Sequence, residues 1–213
     1  MGKPRSPKGR AVETLARLRV EYPDAKCELD HRNAFELLAA TILSAQCTDE
    51  RVNMVTPALF ARYPSPYELA VAEQSEVEEL IHSTGFYKNK AKSLIGMAQM
   101  LVEKFGGEVP HEMADLVQVP GVGRKTANVV RSVSLGLPGL PVDTHVGRLS
   151  IRLGLTELTD PVKVEYALND MIPPDDRGLF SLLLILHGRR VCTARRTFCA
   201  DCVLNDFCPA RKL

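Results

Sequence analysis

The sequence predicts an all-α fold, and three observations carry the prediction. Apolar residues recur at three- and four-residue spacing in several windows. Capping residues and glycine stops bracket those windows. No segment sustains a two-residue alternation flanked by turn signals, so no sheet of consequence is expected. Internal repeats and low-complexity stretches are also absent.

The elements follow in chain order. The opening MGKPRSPKGR is basic and lacks the apolar stretch of a secretory signal. Gly2 and Ser6 fit the loose pattern for N-myristoylation, but the pattern is short and one acyl chain anchors weakly. A disordered basic tail is the preferred reading. Residues 34–45 (AFELLAATILSA) are apolar on almost every side, as expected of a central buried helix with Asn33 as its N-cap. Shorter helices are expected around 50–63 and 75–83. Between Ala91 and Phe105, the residues Leu94, Ile95, Ala98, Leu101 and Val102 form one apolar stripe, which Gly106-Gly107 ends. Two helices at about 112–118 and 124–135 flank Val119-Pro120-Gly121-Val122-Gly123. A helix follows Asp143, and another runs from Arg177 to His187.

The 213 residues suit one large domain or two small interlocked ones. Hydrophobic residues make up 45% and charged residues 25%, ordinary for a soluble globular protein. The longest apolar run, Leu179 to Leu186, is far short of the ~20 residues that span a bilayer. Net charge is only +1, but its distribution is uneven. Residues 1–20 carry six Lys/Arg against one acid, and residues 187–213 carry six against two. Residues 65–85 carry five Glu and no Lys or Arg. Opposed basic and acidic faces suit a protein that sets one side against a phosphate backbone, although charge runs are usually just solvated surface.

Three constellations carry chemistry. In the 112–135 hairpin, Gly121 and Gly123 permit backbone conformations closed to other residues and bare the loop amides, so an anion can approach the second helix's N-terminus. Such a hairpin grips a DNA phosphate without reading sequence, or it is simply a glycine-rich turn. Lys125 sits in the first turn of that helix, where the dipole disfavours a cation by ~0.3–1 kcal/mol. A sequence selected only for stability would rarely place it there; a nucleophilic amine or another phosphate contact explains it. Asp143, after the Pro/Gly-rich link LGLPGL, reads either as an N-cap worth ~1 kcal/mol or as a carboxylate serving an oxocarbenium-like sugar.

The third constellation is cysteine. Cys192, Cys199, Cys202 and Cys208 follow the spacing C-x6-C-x2-C-x5-C. A disulfide framework fits poorly, because these cysteines crowd one end of a well-cored chain without a signal peptide. Structural zinc is a real rival, but paired zinc knuckles usually present two CxxC-type turns, and here there is one. One compact loop of thiolates is nearer to iron–sulfur ligation. Cys27 and Cys47 stand apart as ordinary thiols.

In order along the chain, LLAATILSAQCTD, VPGVGRKTANVV, PVDTHVGR, LILHGR and the cysteine tail resemble the endonuclease III family of helix-hairpin-helix DNA glycosylases. The likeness covers about Leu15 to Cys208. It implies two all-α lobes with DNA between them: a six-helix barrel over 27–138, and an iron–sulfur lobe formed by 1–26 and 139–213. It implies Lys125 as a Schiff-base nucleophile and Asp143 as its supporting carboxylate. The four cysteines would hold a four-iron four-sulfur (4Fe-4S) cluster. Gln46 is similar to the residue that fills the gap left by an extruded base, and Phe86 stands where the family's intercalating wedge is commonly leucine. Gly121, Val122, Gly123, Arg124, Thr126, His145, Arg195 and Arg196 are the remaining expected DNA contacts. The implied activity is excision of damaged bases, oxidised pyrimidines above all, from duplex DNA, with β-elimination at the abasic site. A cytoplasmic monomer is expected, nucleoid-associated if bacterial, with duplex DNA as its partner and no membrane.

Two rivals stand beside this reading. An adenine-specific relative with the same cluster would lack the hairpin lysine, carry a catalytic Glu near 41 and extend further at its C-terminus; this chain has Lys125 and Thr41. A non-catalytic DNA-binding module would reduce Lys125 to a phosphate contact and Asp143 to a cap. The role of Gly147 has no account from sequence.

Overall fold

The structure, a computed structural model, describes residues 4–211. Eleven α-helices and two 3-10 turns make up its regular structure. Among the described residues the one β feature is an isolated bridge between Cys192 and Thr197, so the all-α prediction holds.

Helix α1 (Pro7–Glu21) corrects the reading of a disordered tail. The Ser6 side chain accepts a hydrogen bond from Gly9 N at 3.0 Å, and Pro7 occupies the first helical position, where a missing N–H costs nothing. Ala11, Thr14, Leu15 and Leu18 then form a buried face. Basic residues here decorate an amphipathic helix, and their number hid its periodicity. Gly2 of the myristoylation pattern lies outside the described residues.

Residues 27–137 form one compact unit. It carries α2 (Ala34–Leu43), α3 (Asp49–Arg62), α4 (Pro66–Ala70), α5 (Gln74–Ile81), α6 (Tyr87–Phe105), α7 (Met113–Leu116) and α8 (Arg124–Val133). Every residue from Phe35 to Leu43 is buried, because α3, α6 and α8 all pack around α2. Each large apolar side chain removed from water there contributes about 1.5–3 kcal/mol. Asn33 caps α2 as expected, its Oδ1 accepting from Glu36 N at 2.9 Å. Helix α6 starts four residues before its apolar stripe and ends at Gly106 (φ 59°), where Gly107 N donates to Leu101 O at 2.9 Å.

The second unit is assembled from both chain ends, up to Lys26 and from Pro138 onward. It holds α1, α9 (Thr144–Arg152), α10 (Pro161–Asn169) and α11 (Arg177–Arg190). Helix α11 is the central element, packed against both α1 and α9 with Phe180, Leu183 and Leu184 fully buried. Past α11 the chain runs without further helix to Arg211, and this segment carries the four clustered cysteines. No helix among the described residues is long and apolar enough to cross a membrane.

Candidate functional site

In the 27–137 unit, the hairpin loop is built by a specific steric demand. Gly121 has φ 80°, and a Cβ on it would stand 3.0 Å from Ser93 Cβ and 3.3 Å from Ile42 Cδ1. Pro120 lies against Gly96 of α6, and Val119 and Val122 are buried beneath the loop. The loop thus lies close against α6 and α2 while Gly121 supplies the left-handed turn. Gly123 differs from the expectation. Its φ is −90°, which any residue adopts, and a Cβ there would meet nothing within 4 Å.

Gly123 instead acts as the N-cap of α8, with no side-chain cap bond and no acid in the first turn. With no side chain on the cap, the positive end of the helix dipole is open to an anion. Lys125 and Thr126 lie in this first turn, with Lys125 exposed and Thr126 half-buried.

Two further predicted residues share an unusual backbone. Gln46 (φ 54°) and Phe86 (φ 48°) are the two non-glycine residues in the left-handed region among those described. Such a conformation costs an L-residue about 1–2 kcal/mol. Both side chains are exposed, Phe86 to 65%. A large aromatic held out into solvent on strained backbone is a poor choice for stability and a suitable one for insertion between bases.

In the unit of the chain ends, Asp143 is the N-cap of α9. Its Oδ1 accepts from His145 N at 2.8 Å and Val146 N at 2.9 Å. Oδ2 accepts no hydrogen bond from any described residue. The cap and the catalytic carboxylate are therefore compatible roles for two oxygens of one side chain. Lys125 and Asp143 belong to different units.

The four thiols Cys192, Cys199, Cys202 and Cys208 line one pocket together with Leu149 and His187. None forms a disulfide. Burial pushes the Cys202 thiol up to about 11 and raises that of Cys208. Arg152 Nη1 donates to Cys192 Sγ at 3.2 Å, a charge-assisted bond that suits a thiolate. No three described His, Cys, Asp or Glu side chains converge closely enough to hold a single metal ion. The loop between the first two cysteines exposes Arg195 and Arg196; Thr193 Oγ1 closes it, donating to Arg196 O at 2.6 Å and accepting from Arg196 N at 3.0 Å.

Residues 39–174 match the HhH-GPD superfamily of base excision DNA repair proteins. A curated relative, endonuclease III of Synechocystis sp., is 55% identical over 206 residues, covering 96% of this chain and 94% of its own. The chain belongs to the endonuclease III family. Among solved structures, a non-covalent endonuclease III–DNA complex superposes with a TM-score of 0.88 at 43% identity, covering 95% of each chain. A trapped endonuclease III–DNA covalent intermediate superposes equally well at 43% identity, covering 95% of this chain and 96% of the other.

Sequence reasoning missed two residues that organise this endonuclease III family member. Arg148 Nη2 donates to Gly188 O and Cys192 O at 3.0 Å each and lies 3.1 Å from His145 Nδ1. It thereby joins the turn after Asp143 to the end of α11 and the first clustered cysteine. Gly188 makes this approach possible, since a Cβ there would fall 2.9 Å from His145 Nδ1. The signal was present as the glycine of LILHGR. Gly147 has open space around its Cβ position, so no local contact demands glycine there.

Proposed function

We propose that Lys125 is the nucleophile and Asp143 the supporting carboxylate of this base excision repair enzyme. As an endonuclease III, the chain is both a DNA glycosylase and an abasic-site lyase acting on duplex DNA. The observation that carries the assignment is an exposed lysine in the first turn of a helix whose cap, Gly123, has no side chain, directly after a loop whose glycine turn bares backbone amides. In this reading a phosphate sits on the hairpin amides around Gly121 to Thr126, with Arg124 alongside. The damaged base is extruded at a cost of a few kcal/mol, less where damage has weakened its pairing. Gln46 and Phe86 enter the duplex as the base leaves the stack.

The neutral Lys125 amine attacks deoxyribose C1′ and the N-glycosidic bond breaks, so the base departs with the bonding pair. Asp143 Oδ2 supports the positive charge on the sugar and carries protons, while Oδ1 stays on the helix cap. The C1′–O4′ bond then breaks with O4′ taking up a proton, which opens the sugar ring to a C1′ imine; the imine acidifies a C2′ proton, and loss of that proton expels the 3′ phosphate by β-elimination. Oxidised pyrimidines are the proposed substrates.

The cysteine pocket supports a 4Fe-4S cluster over zinc. Four free thiols line a shared pocket, and they come from one compact C-x6-C-x2-C-x5-C segment with a single CxxC turn rather than from paired knuckles. Bound there, the group supplies a structural cross-link. Arg195 and Arg196 are then held for phosphate contact, and His145 with them. Residues 27–137 correspond in this reading to the barrel lobe and the two chain ends to the cluster lobe. A cytoplasmic site of action follows from the substrate.

Borohydride trapping on an abasic duplex tests the central assignment. The native chain is expected to form a covalent adduct and Lys125→Ala none. An adduct that survives Lys125→Ala would place the nucleophile elsewhere, and no adduct from the native chain would overturn the imine step.

A further inference from the structure

Lys90 is a buried lysine that the proposed mechanism does not use. It is 5% exposed, yet among the described residues no carboxylate answers its charge: the Nζ donates to two backbone carbonyls, Leu43 O and Thr84 O, each at 2.8 Å. Burying an ammonium group on carbonyls alone is costly, and an apolar side chain of similar length would fill the space more cheaply. The position of those two carbonyls suggests what the lysine does.

Leu43 is the last residue of α2, and Gln46 follows three residues later. Thr84 closes the 3-10 turn His82–Thr84, and Phe86 follows two residues later. Both carbonyls lie at helix ends, where backbone dipoles present negative charge to a cation. The backbone of Lys90 completes the arrangement, because its own N–H donates to Phe86 O at 3.1 Å. One residue therefore grips the root of the Gln46 loop with its side chain and the root of the Phe86 loop with side chain and amide together. Gln46 and Phe86 are also the two described non-glycine residues on left-handed backbone. Conformations of that kind persist only where the surroundings over-determine them.

We propose that Lys90 is a positioning residue that fixes the spacing between Gln46 and Phe86, and thereby the geometry in which both side chains enter the duplex. The proposal rests on the reading of those two residues as the inserting pair. An ammonium group suits the task because it is a point donor that can satisfy two carbonyls from different elements at once. Methionine matches its length and apolar stem but offers no donor, so the two loop roots would separate while the core stayed filled.

The test uses the full-length, cluster-loaded chain and a duplex carrying 2-aminopurine opposite a stable abasic analogue, where fluorescence reports unstacking. Lys90→Met is expected to bind undamaged duplex within about twofold of the parent, because the hairpin is untouched, while the fluorescence rise falls at least about fivefold. In steady-state excision kcat should fall by about tenfold or more, with KM changed less than about threefold. Lys90→Gln, polar but too short to reach both carbonyls, should behave alike and decides the matter if the methionine variant does not fold. A folded variant with parental fluorescence and kcat overturns the proposal, as does a lowered melting temperature with no loss of the fluorescence rise. If neither variant folds, Lys90 is a folding determinant and the positioning role is likewise overturned. Gln46→Ala and Phe86→Ala run in parallel. If they too leave the fluorescence unchanged, the inserting pair itself is misassigned; if they abolish it while the Lys90 variants do not, the tether alone fails.

Discussion

Asp143 holds Val146 N at 2.9 Å through the same oxygen, Oδ1, that takes His145 N, and its second oxygen is left for other work. This division makes the two roles separable by substitution. Asp143→Asn keeps an oxygen in the capping position, and asparagine caps about as well as aspartate, so stability should change by less than about 1 kcal/mol. The neutral amide cannot support a sugar cation or carry a proton, and single-turnover excision should fall by about 100-fold or more. Asp143→Ala should lose both, with about 1 kcal/mol of stability gone in urea denaturation. Equal stability losses in the two variants would reduce Asp143 to a cap.

The hairpin glycines should part company in the same way. Gly121→Ala forces a side chain onto φ 80° and against Ser93, so it should cost at least about 1–2 kcal/mol. Gly123→Ala meets no atom and has an ordinary φ, so its cost should stay near 0.5 kcal/mol, roughly the difference between glycine and alanine as N-caps. Both should weaken binding to an abasic-analogue duplex at fixed salt, the first by unfolding the loop and the second by setting a methyl group where a phosphate approaches. Urea melts beside titrations separate the two causes.

Phe86 offers a test of strain held for function. With its side chain 65% exposed and its φ at 48°, little burial is lost on removing it and some backbone strain is relieved. Phe86→Gly should therefore match or exceed the parent in stability, by up to about 1 kcal/mol, while excision from duplex falls. Phe86→Leu keeps an apolar wedge and should retain excision with an altered preference for the opposite base, measured on a panel of lesion pairs. A Phe86→Gly variant with full activity would remove the aromatic from the DNA interface.

What the sequence made legible follows from how local each cause is. The buried helix 34–43 was readable because all but Glu36 and Thr41 in it are apolar, and Gly121 because a left-handed turn has few other solutions. Three helices were missed despite local signals. Ser6-Pro7 opens α1, Asp160-Pro161 opens α10, and the Ser65/Glu68 capping box opens α4. Their apolar faces are short or interrupted by charge, and caps without periodicity carry little weight. Gly123 was misjudged because composition does not reveal φ. Lys90 and Arg148 were out of reach for another reason: each acts on carbonyls up to 47 residues away, and a carbonyl has no residue type to read.

The cysteine pocket yields a prediction that separates metal from fold. Cys192 lies two residues past the end of α11, and the Cys208 thiol donates to Arg152 O of α9 at 3.6 Å, so ligation at both would tie two helices and the tail to one centre. Purified protein should be brown, with about four irons per chain. Because a site of this kind is assembled only in the folded state, binding stabilises the fold, and Cys202→Ser should lose iron and melt at lower temperature. The loop carrying Arg195 and Arg196 would lose its fixed position at the same time. Affinity for duplex should then fall, and the slope of log K against log salt should decrease by about two, one for each lost phosphate contact. Residual Lys125 trapping at high protein concentration is expected, since the hairpin lies in the other unit with its own core. A colourless protein holding one zinc per chain, with the same salt slope in Cys202→Ser, would overturn both the cluster and the loop's role.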